Sequence, residues 1–255
     1  MKKIEEILKN RKNVSFFRED KIPDKKIIEN LLEKTHNLTP HKNNFWHYEI
    51  EVYGPEHIEE KRYTAISTVC SDGRDEFIGS NSPKKYEKLE KIYDEWLYFH
   101  NNNEKTPEWI ERHKEFKKKY GKIHFNNQVT APYLFVYTKK DKLLTDTQLK
   151  SDYYKKGRLE QVFDVNYQTK SDMWLIQSGM HSIILSALAV EQGLDASFCK
   201  CYFYNHYIHT NILRKAKKRP GDIAFLLGLG YGDKEKHNYQ SYVEKPLLDE
   251  IIKWR

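Results

Sequence analysis

The chain has 255 residues, with 44 lysines and arginines against 37 aspartates and glutamates, a formal net charge of +7, and 38% hydrophobic and 14% aromatic residues. That length can bury a substantial core as a single domain, and the aromatic content argues against disorder. The basic balance would attract phosphates, nucleotides or nucleic acid, although a lysine-rich solubilising surface is the simpler reading. Three cysteines, an odd number, give no disulfide framework and suit a reducing compartment. No run approaches the roughly eighteen apolar residues that cross a bilayer, and the start MKKIEEILKNRK carries acids where a signal peptide would be apolar. The expectation is a cytoplasmic protein with no membrane partner.

In chain order, Ile4, Ile7 and Leu8 share one face of a first helix that ends near Arg11. A second helix follows Pro23, with Asp24 as N-cap and Ile27, Ile28, Leu31 and Leu32 at helical spacing. Tyr48–Tyr53 alternates Ile50 and Val52 with charged neighbours and is expected to be a half-exposed strand. A helix is expected after Pro55, then a loop over residues 70–81. Residues 82–120 form an expected inserted helical hairpin: Ser82-Pro83 and Thr106-Pro107 each place an N-cap before a first-turn proline, and Asn101 to Asn103 join the halves. One stripe comprises Tyr86, Leu89, Tyr93, Trp96 and Leu97, the other Trp109, Ile110, His113, Phe116 and Tyr120.

Residues 131–137 (APYLFVY) read as a buried strand. After a polar loop, residues 173–190 form the least polar segment, expected to be a core helix stopped by Gly193. Residues 196–203 and 223–229 read as strands, and 205–215 and 246–254 as helices. Single strands scattered among helices, without repeats, imply an α+β layer structure with one mixed sheet in one domain.

Three distant segments carry the chemical signal. In Arg11-Lys12-Asn13-Val14-Ser15-Phe16-Phe17, cations and polar side chains at a helix end can hold a phosphate through charge-assisted hydrogen bonds. In Thr39-Pro40-His41-Lys42-Asn43-Asn44-Phe45, proline fixes the backbone and asparagine offers both a donor and an acceptor, which suits the edge of a planar heterocycle. Gly228-Leu229-Gly230-Tyr231-Gly232 ends an apolar strand; its spacing is neither a Rossmann nor a Walker fingerprint, and it marks a turn or a close backbone approach.

Taken in order, RKNVSFF with a following IP, TPHKNNF before a strand, an apolar strand opening on AP, a core helix ending GLDASF, then GLGYG and EKPLLDEII resemble the nitroreductase family over nearly the whole chain. The resemblance implies a three-layer α+β fold, with a central mixed, mainly antiparallel sheet flanked by helices, in a homodimer with two interfacial flavin sites. By position it implies that Arg11, Lys12 and Asn13 hold the FMN phosphate and the pyrimidine edge of the ring. Ser15 stands where the family usually has a cation, which implies a lower flavin reduction potential. Pro40, His41 and Asn44 would belong to a loop that reaches the flavin of the other subunit, with His41 in place of the usual serine. Asn127, with Gln128 nearly as good a match, would lie near the ring edge. Phe198, Cys199 and Lys200 would pass over the ring near its reactive nitrogen, and Gly230 and Lys245 would close the phosphate end.

The implied activity is hydride transfer from NADH or NADPH to FMN and then to a small-molecule acceptor such as a nitroaromatic or quinone, with no side-chain nucleophile or general base required. The hairpin, with Trp96, Phe99 and Trp109, is expected either to form a lid over the acceptor or to pack peripherally. Other readings are a family member that consumes its flavin or lacks the activity, and a basic nucleic-acid-binding protein. Acids interspersed through residues 84–122, including Glu87, Glu90, Asp94, Glu95 and Glu111, break any phosphate-tracking stripe. Cys199 and Cys201, followed by His206 and His209, have the residue types of a zinc site but poor spacing, so no metal is expected.

Overall fold

The computed structural model describes residues 4–11, 13–41, 46–67, 83–102, 104–121, 123, 125–141, 146–150, 172–200, 220–233 and 248–252. Its helices are α1 (Ile4–Asn10), α2 (Lys25–Leu38), α3 (Ile58–Ser67), α4 (Pro83–Asn101), α5 (Pro107–Tyr120), α6 (Asp146–Lys150), α7 (Met173–Glu191) and α8 (Leu248–Ile251). Strands β1 (Tyr48–Tyr53), β2 (Tyr133–Lys139), β3 (Asp195–Cys199) and β4 (Ile223–Gly230) form one four-stranded sheet in the order β1-β2-β4-β3. All its pairings are antiparallel, and the segment after α1 adds one parallel bridge, Asn13 to Ala196.

Strand alternation sorts the core into two layers, one on each side of the sheet. Leu134 and Val136 of β2 and Leu226 of β4 pack with Ala65 and Ile66 of α3, Tyr93 and Phe99 of α4, and Phe116 of α5. Tyr133, Phe135 and Tyr137, one position out of step, join Leu227 and Leu229 against Ile28 and Leu31 of α2 and Leu185 and Ala189 of α7. Successive side chains of a strand point to opposite faces, so a central strand covered on both sides reads as continuously apolar. The expected three-layer α+β architecture is the observed one. The hairpin α4–α5 supplies part of one layer, with Phe99 and Phe116 buried, while Ile110 of the expected stripe is 50% exposed.

Local signals placed the helix ends. Asp24 caps α2 by accepting from the Lys26 N–H at 2.7 Å, and Thr106 caps α5 by accepting from the Trp109 N–H at 3.1 Å, with Pro107 in the first turn. At the end of α7, Gly193 has φ +75°, its N–H donates to Val190 O at 3.0 Å, and the Leu194 N–H donates to Ala189 O at 2.9 Å. This is a Schellman stop, which glycine satisfies without steric cost. Ser82, residues 70–81 and residues 205–215 lie outside the described residues. A short helix, α6, falls within the expected polar loop.

One expectation needs correction. By length and composition α7, with 19 residues, is long and apolar enough to cross a membrane. Gly, Ser and His spread along it hide that run from simple counting. It packs instead against α1, α2 and the sheet. Several of its buried polar groups are bonded: Ser186 Oγ donates to Ser182 O at 2.8 Å, Ser182 Oγ to Gly179 O at 2.9 Å, and Gln177 Oε1 accepts from the His47 N–H at 3.0 Å, while the buried Ser178 Oγ has no partner among the described residues. Its other side carries Leu175, Ile176 and Ile183 at 37%, 54% and 40% exposure.

Candidate functional site

The segment after α1 crosses the sheet end. Asn13 bridges to Ala196 and Phe17 to Gly232, the Arg18 N–H donates to Tyr231 O at 2.8 Å, and the Asp233 N–H donates to Phe16 O at 2.9 Å. Val14 and Phe17 turn inward and form a small buried cluster with Ala131. The glycines of the GLGYG segment make room for it. A Cβ on Gly228 would collide with the carbonyl oxygen of Gln128 and stand 2.8 Å from Ala131 Cβ; one on Gly230 would stand 2.6 Å from Pro132 Cδ. RKNVSFF, the AP corner and GLGYG are therefore one packed unit, because only glycine lets the other two lie so close to β4.

At the β3 edge of this unit, Asn13 Oδ1 accepts the Phe198 backbone N–H at 2.7 Å. The Arg11 guanidinium carbon stands 6.0 Å from the centre of the Phe198 ring, a cation–π approach. Arg11, Asn13, Ser15 and Phe198 are all half-buried, and Lys200 is exposed one residue past β3. Among the described residues Arg11 has no carboxylate partner. Because Asn13 uses its oxygen on Phe198, its amide N–H groups are left for an acceptor. A half-buried guanidinium and amide donors beside an aromatic ring suit a phosphorylated heterocycle, whose phosphate carries about −1.5 to −2 charges.

Cys199, on the other face of β3, is a buried cysteine in no disulfide, and its Sγ accepts from Asn126 Nδ2 at 2.7 Å. That bond ties β3 to the turn containing Asn127, whose Oδ1 accepts from the Tyr93 hydroxyl of α4 at 3.1 Å. The hairpin thus touches a residue expected at the ring edge. Gly230 is buried under Pro132 and Phe17. Pro40 and His41 sit at the end of α2, where the His41 and Trp46 ring centres are 3.3 Å apart. Among the described residues they make no bond to Arg11, Asn13 or Phe198. Lys12, Asn44 and Lys245 lie outside the described residues, as do Cys201, His206 and His209.

Next to Asn127 opens a cavity of about 290 Å³, walled by Phe16, Lys61, Arg62, Tyr93, Leu97 and other side chains. Lys61, which sequence reasoning passed over, is buried in α3, and its Nζ donates to Ala131 O and Pro132 O, both at 2.9 Å. Burial pulls its ammonium down to about 8, against the Glu56 and Glu60 carboxylates, which favour the charged form. The run IEEKRYTAIS has no clean apolar face, so nothing in it separates a buried lysine from a solvated one. Asn126 was missed in the same way: its partner is 73 positions away.

A scan of protein-family models and a search of curated proteins gave no match. Solved structures do match over the whole chain. A putative nitroreductase from Exiguobacterium sibiricum in complex with FMN is similar at TM-score 0.60 and 16% identity, covering 100% of this chain and 98% of that one. A putative NAD(P)H:FMN oxidoreductase from Staphylococcus epidermidis follows at 0.57 and 14%, covering 100% and 97%. An FMN- and NADPH-dependent nitroreductase from Sphigopyxis sp. strain HMH is similar at 0.52 and 16%, covering 100% and 99%. The fold is the nitroreductase fold.

Proposed function

We propose that the chain is an FMN-dependent NAD(P)H oxidoreductase that works as a homodimer on a small-molecule acceptor such as a nitroaromatic or quinone. The observation that carries this reading is the Arg11–Asn13–Phe198 group at the end of β3, set on a fold whose similar structures include an FMN complex and FMN- and NAD(P)H-dependent enzymes. When bound, FMN would supply the hydride acceptor and donor of the reaction.

The protein's share is binding and orientation. Arg11, with Lys12 and Lys245, would hold the phosphate by charge-assisted hydrogen bonds, and Gly230 would bring the β4 backbone to that end. Asn13 would offer its amide hydrogens while fixing Phe198, which walls the ring, with Cys199 and Lys200 continuing past it. Ser15 leaves the pyrimidine edge without the extra cation. Asn127, held by Tyr93, would meet the ring edge. Pro40, His41 and Asn44 would complete the partner's site. A second copy is supported by the outer side of α7, where Leu175, Ile176 and Ile183 lie together on an apolar helix. Contiguous exposed aliphatic groups of this kind mark interaction surfaces.

The test is a titration of flavin-free protein with FMN and with riboflavin, which lacks the phosphate. FMN should bind more tightly, and Arg11→Ala should weaken FMN by about tenfold or more while leaving riboflavin little changed. Equal affinity for the two flavins in the unmodified protein would contradict the phosphate assignment.

A further inference from the structure

Lys61 is a buried cation on the wall of a cavity. Its residue is 3% exposed, and its ammonium donates to two backbone carbonyls, Ala131 O and Pro132 O. An ammonium has three hydrogens, so one remains. Among the described residues no carboxylate forms an ion pair with it. The neighbouring cations on the same wall are paired: Arg62 with Asp94 at 2.5 Å and Glu90 at 3.6 Å, and Arg18 with Asp20 at 2.5 Å. The Glu56 and Glu60 carboxylates favour its charged form without pairing with it, burial still makes the charge costly, and an occupant that brought one negative charge would lower that cost.

The rest of the wall defines the occupant's other end. Phe16, Ile22, Pro55, Ile58, Tyr93 and Leu97 give it one apolar, aromatic side, while Glu19, Asn127 and other polar side chains share the wall. At about 290 Å³ the space is at the small end of ligand pockets, on the order of one substituted ring. Phe16 is itself held by stacking on Trp96 of α4, ring centres 5.7 Å apart and planes 19° apart, so the chain segment before α2 and the hairpin close the two sides. An inorganic anion would leave these rings uncovered, and a neutral aromatic would bring no negative charge to Lys61.

We propose that this cavity binds a small aromatic carboxylate, with its ring between Phe16 and the Tyr93–Leu97 side of α4 and its carboxylate on the remaining hydrogen of Lys61. The occupant lies beside Asn127, which is bonded to Tyr93. That it serves as the electron acceptor rests on the flavin reading; that it binds does not.

Calorimetric titration of the purified full chain with benzoate, benzamide and inorganic phosphate tests this, with tryptophan fluorescence following Trp96. Benzoate should bind saturably, benzamide about tenfold or more weakly, and phosphate not measurably at the cavity. Lys61→Gln should abolish the preference for benzoate over benzamide. Leu97→Trp, which leaves the Lys61 bonds untouched and fills the cavity from α4, should block both ligands. Should Lys61→Gln not fold, the ligand series on the unmodified protein and Leu97→Trp still decide. Equal binding of benzoate and benzamide, no binding of either, or binding unaffected by Leu97→Trp overturns the proposal. A protein that takes benzoate but no FMN removes the flavin reading and leaves this site standing; one that takes FMN and ignores benzoate does the reverse.

Discussion

Asn13 and Phe198 stand 185 positions apart, and the Asn13 side-chain oxygen accepts the Phe198 backbone N–H at 2.7 Å. The bond fixes the segment after α1 to the half-buried Phe198 of β3. Asn13→Ala leaves that N–H without its acceptor, and the expected loss is about 1–3 kcal/mol of unfolding free energy, read from urea denaturation. FMN affinity should fall with it. Unchanged stability and unchanged FMN affinity would show that the bond positions nothing.

The glycines under the N-terminal segment predict a second outcome. A Cβ at Gly228 meets a backbone carbonyl, which cannot swing away, together with Ala131. Gly228→Ala should therefore cost about 3 kcal/mol, at the upper end for overpacking. Gly193→Ala should cost only about 1 kcal/mol, because nothing crowds it and only its φ of +75° resists a side chain. The order of the two melting temperatures checks the argument, and a harmless Gly228→Ala would refute the close packing.

His181 makes stability depend on pH. It is buried against Tyr48 and Tyr137, with the Tyr137 hydroxyl 2.9 Å from its Nδ1, and burial holds its ring down to about 4, helped by the nearby His36 and His41. The unfolded chain takes up this proton near 6.5, whereas the folded chain resists it until about 4. The stability is thus complete above about 6.5 and is lost as pH falls towards 4, by roughly 3 kcal/mol. Urea midpoints between these limits should slope less in His181→Gln than in the unmodified protein. Parallel slopes would mean that other groups carry the dependence.

The outer side of α7 bears on assembly. Ile176→Glu combined with Ile183→Glu places two carboxylates on the surface proposed to meet a second copy. Sedimentation should show the unmodified chain as a dimer and the variant as a folded monomer with weakened FMN binding. A variant that remains dimeric would move the interface elsewhere.

Much of the frame was legible because it is written locally. YEIEVY alternates and becomes β1 with the expected ends, and the caps Asp24, Thr106 and Gly193 act through neighbours a few residues away. The order of RKNVSFF, AP and GLGYG pointed to a shared site, and the structure packs the three together. Lys61, Asn126 and the Tyr93–Asn127 bond were not legible, because their meaning lies in partners 34 to 73 positions away that no periodicity encodes. The resemblance also predicted Pro40 and His41 at a flavin, yet within one chain they lie at the end of α2 beside Trp46, a placement that only a second subunit could turn into a flavin contact.

The most direct measurement is the visible absorption spectrum of the purified protein, taken without air before and after NADPH or NADH is added. An FMN-dependent oxidoreductase should be yellow, with flavin bands that bleach on addition of a nicotinamide donor and return when a nitroaromatic or quinone is supplied. A colourless protein that takes up no FMN on reconstitution would contradict it.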